Sequence, residues 1–369
     1  MERAQVPEEP GLPPAEALPR GLPRAEEAHP GLPRAEEAHP GLPPVEEVRP
    51  GLWSLPVPIP NSPLRYVLAY AFEVPAGVVL VDPGWNAPES LAALEAGLGR
   101  LGTGLAGVRG ILVTHIHPDH YGLAGRVREL SGAWVALHPA DAALVNDRYE
   151  QVDRLLDRTA GWLRATGAPE REVEALRSAS MQIRRFVVSA RPDVLLEHGD
   201  RPDVPGWRLV AVHTPGHTPG HLCFHEEGTG VLLTGDHVLP RISPNVSAHP
   251  QSTDDPLGDY LTSLKQVQAY AGPALPGHQW RFDDLPGRVD ELLAHHEERL
   301  DEAQAAVAAG AATVWEVARA LRWSRPWEEI VGFMRRAALG ETQAHLIVLE
   351  RRARIVRVSH ATPLRWRAR

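Results

Sequence analysis

Chemically capable side chains are densest at Thr114-His115-Ile116-His117-Pro118-Asp119-His120, where three imidazoles and a carboxylate fall within six residues as H-x-H-x-D-H. His217, Asp236 and His278 follow later, and Asp82 precedes them. The set His115, His117, Asp119, His120, His217, Asp236 and His278 offers only nitrogen and oxygen donors. Neutral imidazole is the commonest protein ligand for a metal ion, and clustered imidazoles with carboxylates suit a divalent cation, zinc first, with manganese or iron as alternatives. The chemistry of such a cluster is hydrolysis, because a metal lowers the pKa of bound water to about 7. No Gly-x-Ser-x-Gly elbow and no glycine-rich phosphate loop with lysine occurs, so no serine nucleophile or nucleotide cradle is indicated.

The candidates share a position in the pattern. Gly110-Ile111-Leu112-Val113 leads into the H-x-H-x-D-H run, and Val210-Ala211-Val212 leads into the turn carrying His217. Val231-Leu232-Leu233-Thr234 runs into Gly235-Asp236-His237, Ala274-Leu275 into Pro276-Gly277-His278, and Val78-Val79-Leu80-Val81 into Asp82-Pro83-Gly84. Short apolar runs bounded by Gly and Pro read as buried strands. Five strand ends would therefore deliver their side chains to one edge of a rigid sheet, where sites are commonly built. Cys223 reads as a small buried hydrophobe. The remaining histidines read as surface or satisfied core residues, with hydrogen-bonding support to a ligand open to His213, His221 and His237.

The order H-x-H-x-D-H, T-P-G-H, T-G-D and P-G-H, with D-P-G upstream, resembles the metallo-β-lactamase superfamily of hydrolases. The resemblance covers about residues 52–285. It implies an α+β chain with a four-layer αβ/βα sandwich, two mixed sheets face to face with helices outside. It further implies that His115, His117 and His217 hold one metal, that Asp119, His120 and His278 hold a second, and that Asp236 bridges them. Asp82, and His237 beside the bridge, would orient the site without ligating, and Asp119 would handle the proton beside a metal-bridging hydroxide. A carboxylate at position 236 points away from antibiotic hydrolysis and towards the glyoxalase-II-like, lactonase-like and endoribonuclease branches. His117, where a redox di-iron variant has Glu, favours hydrolysis.

Residues 1–51 carry a ten-residue repeat beginning at Gly11, Gly21, Gly31 and Gly41, dense in Pro and Glu and free of aromatic side chains. Such a segment cannot bury enough apolar surface to offset its ordering entropy, so it reads as a disordered tail. It lacks the apolar stretch of a signal peptide. The catalytic unit is expected over 52–288, with a helical insertion at about 140–196 that covers and shapes the pocket. Residues 289–369 read as helices from Val289 to about Ala308, from Val314 to Leu321 with Thr313 as cap, from Pro326 to Ala338 and from Glu341 to Arg352. A hairpin of Ile355–Val358 and Leu364–Arg367 follows, an arrangement similar to the winged-helix domain appended to some of these hydrolases.

Residues 351–369 contain seven arginines and no acid, which raises nucleic-acid binding. The net charge of −9 and the near-complete use of Arg for Lys argue against it, and a packing or homodimer contact is preferred. The 369 residues with a single Cys and no membrane-length apolar run indicate a cytoplasmic protein with no disulfide framework and no membrane partner. The expected function is hydrolysis of a small ester-like bond, a thioester or a lactone, by a binuclear centre. The alternative is an endoribonuclease or phosphodiesterase using the same metals.

Overall fold

Val78–Val81 and Ile111–Val113 are apolar at every position because the strands they form are covered on both faces. In a computed structural model, which describes residues 41–369 apart from 180, 360 and 361, these strands lie inside a seven-stranded mixed sheet. Its order is β1 (Glu46–Arg49), β2 (Leu52–Pro58), β3 (Tyr66–Val74), β4 (Gly77–Val81), β5 (Val108–Leu112), β6 (Trp134–Leu137) and β7 (Val194–Leu195). The first four pair antiparallel and the rest parallel. A second sheet runs in the order β11 (Ala274–Pro276), β10 (Leu232–Gly235), β9 (Leu222–Glu226) and β8 (Leu209–His213).

Alternation along the strands sorts side chains into layers. Leu68, Tyr70, Phe72, Val79, Val81 and Leu112 meet Leu209, Ala211, Leu222, Phe224, Leu233 and Leu275 between the sheets. Opposite-facing Val67, Ala69, Leu80, Ile111 and Val113 pack with Leu94 and Leu98 of α1 (Pro88–Arg100). The short α2 (Pro118–Tyr121) and α3 (Ala124–Ser131) complete that outer layer. On the far side, Val212, Cys223 and Leu232 face Leu257, Tyr260 and Leu264 of α7 (Pro256–Val267). This is the expected αβ/βα sandwich. Tyr70 stitches its sheets together by donating its hydroxyl to the Pro276 carbonyl at 2.8 Å.

Two boundaries differ from the sequence reading. The tail expected to residue 51 ends sooner, because Glu46–Arg49 pairs with β2 and buries Val48; residues 1–40 of that segment lie outside the described chain. The two helices read over 326–352 are one, α10 (Gly332–Arg351), preceded by a single turn at Trp327–Glu329. Gly340 lies in the gap left between them. It serves as a close-packing point, since a Cβ there would sit 2.8 Å from the Ser247 Cβ.

The insertion contains α4 (Pro139–Ala142), α5 (Asp153–Ala165) and α6 (Glu170–Arg177). Its helices share one apolar core with α8 (Leu285–Ala308), α9 (Val314–Ala320) and α10, through Leu163, Val173, Leu176, Leu300, Val317 and Leu346. Trp162 donates Nε1–H to Gln343 Oε1 at 2.8 Å, and Glu172 pairs with Arg335 at 2.9 Å. Thr313 caps α9 as expected, in a reciprocal capping box with Glu316. The hairpin of β12 (Ile355–Ser359) and β13 (Arg365–Ala368) closes this layer with Trp366, which is 2% exposed and donates to Glu350 Oε2 at 2.9 Å. Trp366→Ala is expected to destabilise the full chain by about 3–5 kcal/mol in a denaturant titration. A loss below about 1 kcal/mol would show that the hairpin is not part of the core.

Candidate metal centre

Each candidate ligand leaves the end of a strand. His115 and His117 follow β5, and α2 starts at Pro118 directly behind them, carrying Asp119 and His120. His217 lies in the β8–β9 turn, while Asp236 and His278 follow the parallel neighbours β10 and β11. Asp82 follows β4, the parallel neighbour of β5. Parallel neighbours end at one edge, so all these loops converge there.

Two clusters result. His115 Nε2, His117 Nδ1 and His217 Nε2 lie 2.9–3.2 Å from one another. His120 Nε2, His278 Nε2 and Asp119 Oδ2 form the second, with His278 3.2 Å and His120 4.0 Å from Asp119. Asp236 lies between them. Its Oδ2 is 3.6 Å from His217 Nε2, and its Oδ1 is 3.4 Å from His120 Nε2 and 3.5 Å from His278 Nε2.

The outer ring nitrogens decide the protons. His278 Nδ1–H donates to the Tyr66 carbonyl at 2.8 Å and His217 Nδ1–H to the Asn245 carbonyl at 2.8 Å. Thr114 donates its hydroxyl to Asp82 Oδ2 at 2.7 Å and therefore accepts from His115 Nδ1–H at 3.0 Å. His120 Nδ1–H donates to the same Asp82 oxygen at 2.8 Å, and the Thr114 N–H to Oδ1 at 2.8 Å. Asp82 adopts φ +54°, a left-handed conformation that Asp tolerates better than most residues. With the outer protons placed so, four Nε2 atoms point inwards.

That geometry fits divalent cations. The lone pairs of His115 and His217 face each other at 3.2 Å with no proton between them. His120 Nε2, His278 Nε2 and Asp236 Oδ1 are buried with no hydrogen-bond partner, all in the second cluster. Ligands about 2.0–2.1 Å from a tetrahedral zinc lie roughly 3.3 Å apart, close to the spacings here. Burial, then the neighbouring imidazoles, hold His115 and His117 well below the usual histidine range, so they are neutral donors. Burial also pushes His120 and His278 down, but the carboxylates of Asp236 and Asp119, joined at His120 by Asp82, outweigh it and raise both. Asp236 is held well below the usual carboxylate range because the charges of His278 and His120 exceed its burial cost.

The structure thus brings together all seven expected ligands and sets Asp82 behind them. His237 is different. Its ring forms no hydrogen bond to a ligand and lies against Tyr260 and His221, because the turn that aims Asp236 inwards sends the next side chain away. The support comes from His221, whose Nε2 accepts the Asp236 N–H at 3.2 Å while Nδ1 meets Thr214 Oγ1 at 2.8 Å. Asp141, missed from sequence, ties the loops by accepting from Ile116 N, Thr218 Oγ1 and Gly220 N at 2.7–3.0 Å. Its signal was available, since it too follows a strand end and a Pro, after β6. Gly277 must lack a side chain, because a Cβ would stand 2.6 Å from His120 Cε1.

The chain belongs to the metallo-beta-lactamase superfamily, whose description matches residues 62–278. A metallo-beta-lactamase family protein of Thermus thermophilus is 34% identical, with a TM-score of 0.75 over 88% of this chain and 100% of that one. An acyl-coenzyme A thioesterase of Gallus gallus is 31% identical over 183 residues, 47% of this chain and 58% of that protein. An atrochrysone carboxyl ACP thioesterase of Paecilomyces divaricatus is 37% identical over 111 residues, 28% of this chain and 33% of that protein. The match spans less than two thirds of either thioesterase. At the level of the family, the chain is a hydrolase with metal-binding clusters.

Asp82→Ala is expected to weaken zinc binding about 10–100-fold, the usual cost of removing a group that orients ligands. Competition against a chromophoric chelator reads this directly. An unchanged affinity would show that Asp82 supports the loop and not the ligands.

Proposed function

We propose that this chain is a binuclear, zinc-dependent hydrolase of thioesters, with lactones as the next substrate class. The observation that carries this reading is the division of Asp236, one oxygen towards each ligand cluster. His115, His117 and His217 would hold one ion, Asp119, His120 and His278 the other, and Asp236 both. When bound, the pair supplies an acidic water near neutral pH and Lewis acidity towards a carbonyl oxygen. Nitrogen and oxygen donors without thiolate suit zinc, with manganese or iron as alternatives.

The chain's own groups account for the rest. Asp119 has the most exposed of the three site carboxylates, at 15% against 11% for Asp236 and 3% for Asp82, so it is the one placed to take and return a proton. Its pKa is lowered, because the His120 and His278 contacts exceed its burial cost, so it enters the reaction ionised. Asp82, Thr114, Tyr66 and Asn245 lock the imidazoles in place, which removes reorganisation during turnover. The similarity to two thioesterases supports sulfur as the leaving atom.

The helices and hairpin after residue 285 are read as a winged-helix-like unit whose role is packing. Four of the seven arginines of the basic tail are spent internally: Arg351 pairs with Asp255, Arg352 with Glu297, Arg354 with Asp301 and Arg357 with Glu350. That pairing disfavours the endoribonuclease alternative, which needs free cations for phosphates.

Zinc-loaded protein is expected to cleave an acyl-coenzyme A thioester and leave a single-stranded RNA oligomer intact. Asp119→Ala should lower the thioester rate about 10²–10⁴-fold, the range for a proton-transfer group. RNA cleavage lost in the same variant would replace this reading with the nuclease one.

A further inference from the structure

Arginines of the helical layer pair with acids, as in Arg335 with Glu172 and Arg299 with Glu302. Arg148 and Arg336 differ. Among the described residues neither guanidinium lies within salt-bridge distance of a carboxylate, and their contacts are long or aromatic. Arg148 Nη1 donates to Gln251 Oε1 at 3.4 Å, and the Arg336 guanidinium lies 5.4 Å from the Phe333 ring. Burial, then the charge of Arg148, pulls Arg336 down to about 10, and both arginines bear on His249. Like charges gathered in a partly buried place are unfavourable unless an anion joins them.

Both lie near the candidate metal centre: the charge of Arg148 bears on His117, and those of Arg148, Arg336 and His217 all bear on His249. Tyr149, next to Arg148, donates its hydroxyl to the carbonyl of Ile116 at 2.5 Å, between the ligands His115 and His117. Arg336 precedes Ala337, whose carbonyl accepts from Ser247 Oγ at 3.3 Å. Ser247 in turn donates to Asn245, the residue whose carbonyl holds His217. A third donor is idle at the same place: the Gln251 side chain is buried and its Nε2 has no hydrogen-bond partner. Asp141 feels the charge of Arg148, but its oxygens are already engaged by Ile116, Thr218 and Gly220.

We infer that Arg148, Arg336 and the Gln251 amide bind an anionic oxygen group of the substrate, a carboxylate or phosphate, beside the scissile bond. Guanidinium forks match the planar or tetrahedral oxygens of such groups. The insertion and α10 each contribute one arginine, so the shared core of these two segments has a function: it fixes the spacing of the pair. The identity of the substrate rests on the thioester reading above, whereas anion binding at these residues does not.

The test uses the zinc-loaded full chain with succinyl and butyryl thioesters, each on coenzyme A and on N-acetylcysteamine. Wild type should prefer anion-bearing partners. Arg148→Gln and Arg336→Gln should each lower the charged-to-uncharged ratio of kcat/KM about tenfold or more through KM, as for loss of a hydrogen bond between charged groups. Arg336→Lys should restore part of it. A change confined to the succinyl–butyryl comparison places the anion on the acyl side, and one confined to coenzyme A places it on the thiol side. Calorimetric titration with inorganic phosphate should show weaker binding in both Gln variants, whether or not any thioester is cleaved. Unaltered ratios or unaltered phosphate binding in both variants would overturn the anion site. Absence of thioester cleavage by wild type, with arginine-dependent phosphate binding, would overturn only the thioester reading.

Discussion

Lone pairs that face one another across about 3 Å without a proton between them are the constraint on which this structure turns. Asp82, Thr114, Asn245 and Tyr66 take up the outer imidazole protons, so that Nε2 of His115 and His217 face one another as lone pairs and Nε2 of His120 and His278 turn inwards to the carboxylates of Asp119 and Asp236. Buried donors of this kind carry a large desolvation penalty unless a cation joins them. The site is thus held open by second contacts that consume protons, and those contacts come from three loops and the start of β3. Displacing any one frees a ring to turn and weakens the whole cluster.

The sandwich exists, in effect, to keep those loops in register. Its two sheets each end parallel neighbours at the same edge, β4 with β5 and β10 with β11. Contacts between the sheets occur at the site itself: Tyr66 and Tyr70 of one bond to backbone at Gln279 and Pro276 of the other. Gly277 donates its N–H to the Gly235 carbonyl at 2.8 Å, joining the two turns that carry His278 and Asp236. Rigid positioning of this sort is what allows a carboxylate to serve two clusters. Around it, the insertion and the C-terminal helices form one packed layer, so the rim of the pocket is as fixed as its floor.

What the sequence made legible follows from distance along the chain. The seven candidate ligands and Asp82 stand just after apolar strands, in short turns where the residue type alone announces the chemistry. The strands themselves were legible because both faces are covered and the runs are continuous. Asp141 and Asn245 were harder, since one binds groups of other loops and the other lends only its backbone carbonyl to His217, and no local pattern reports which loop will arrive. His237 shows the converse. Adjacency to a ligand suggested a supporting role, but a turn reverses direction between neighbours. Likewise the seven arginines of the last nineteen residues look like a nucleic-acid surface until the carboxylate partners of four of them, scattered over α8, α10 and the loop before α7, are seen.

The central claim is that one carboxylate, Asp236, joins two metal positions. It is tested most directly by counting metal per chain, by elemental analysis after zinc loading and desalting, in wild type and in Asp236→Ala. The account predicts two ions per chain in wild type and one or fewer in the variant. A single ion in wild type, or two retained in Asp236→Ala, would contradict it.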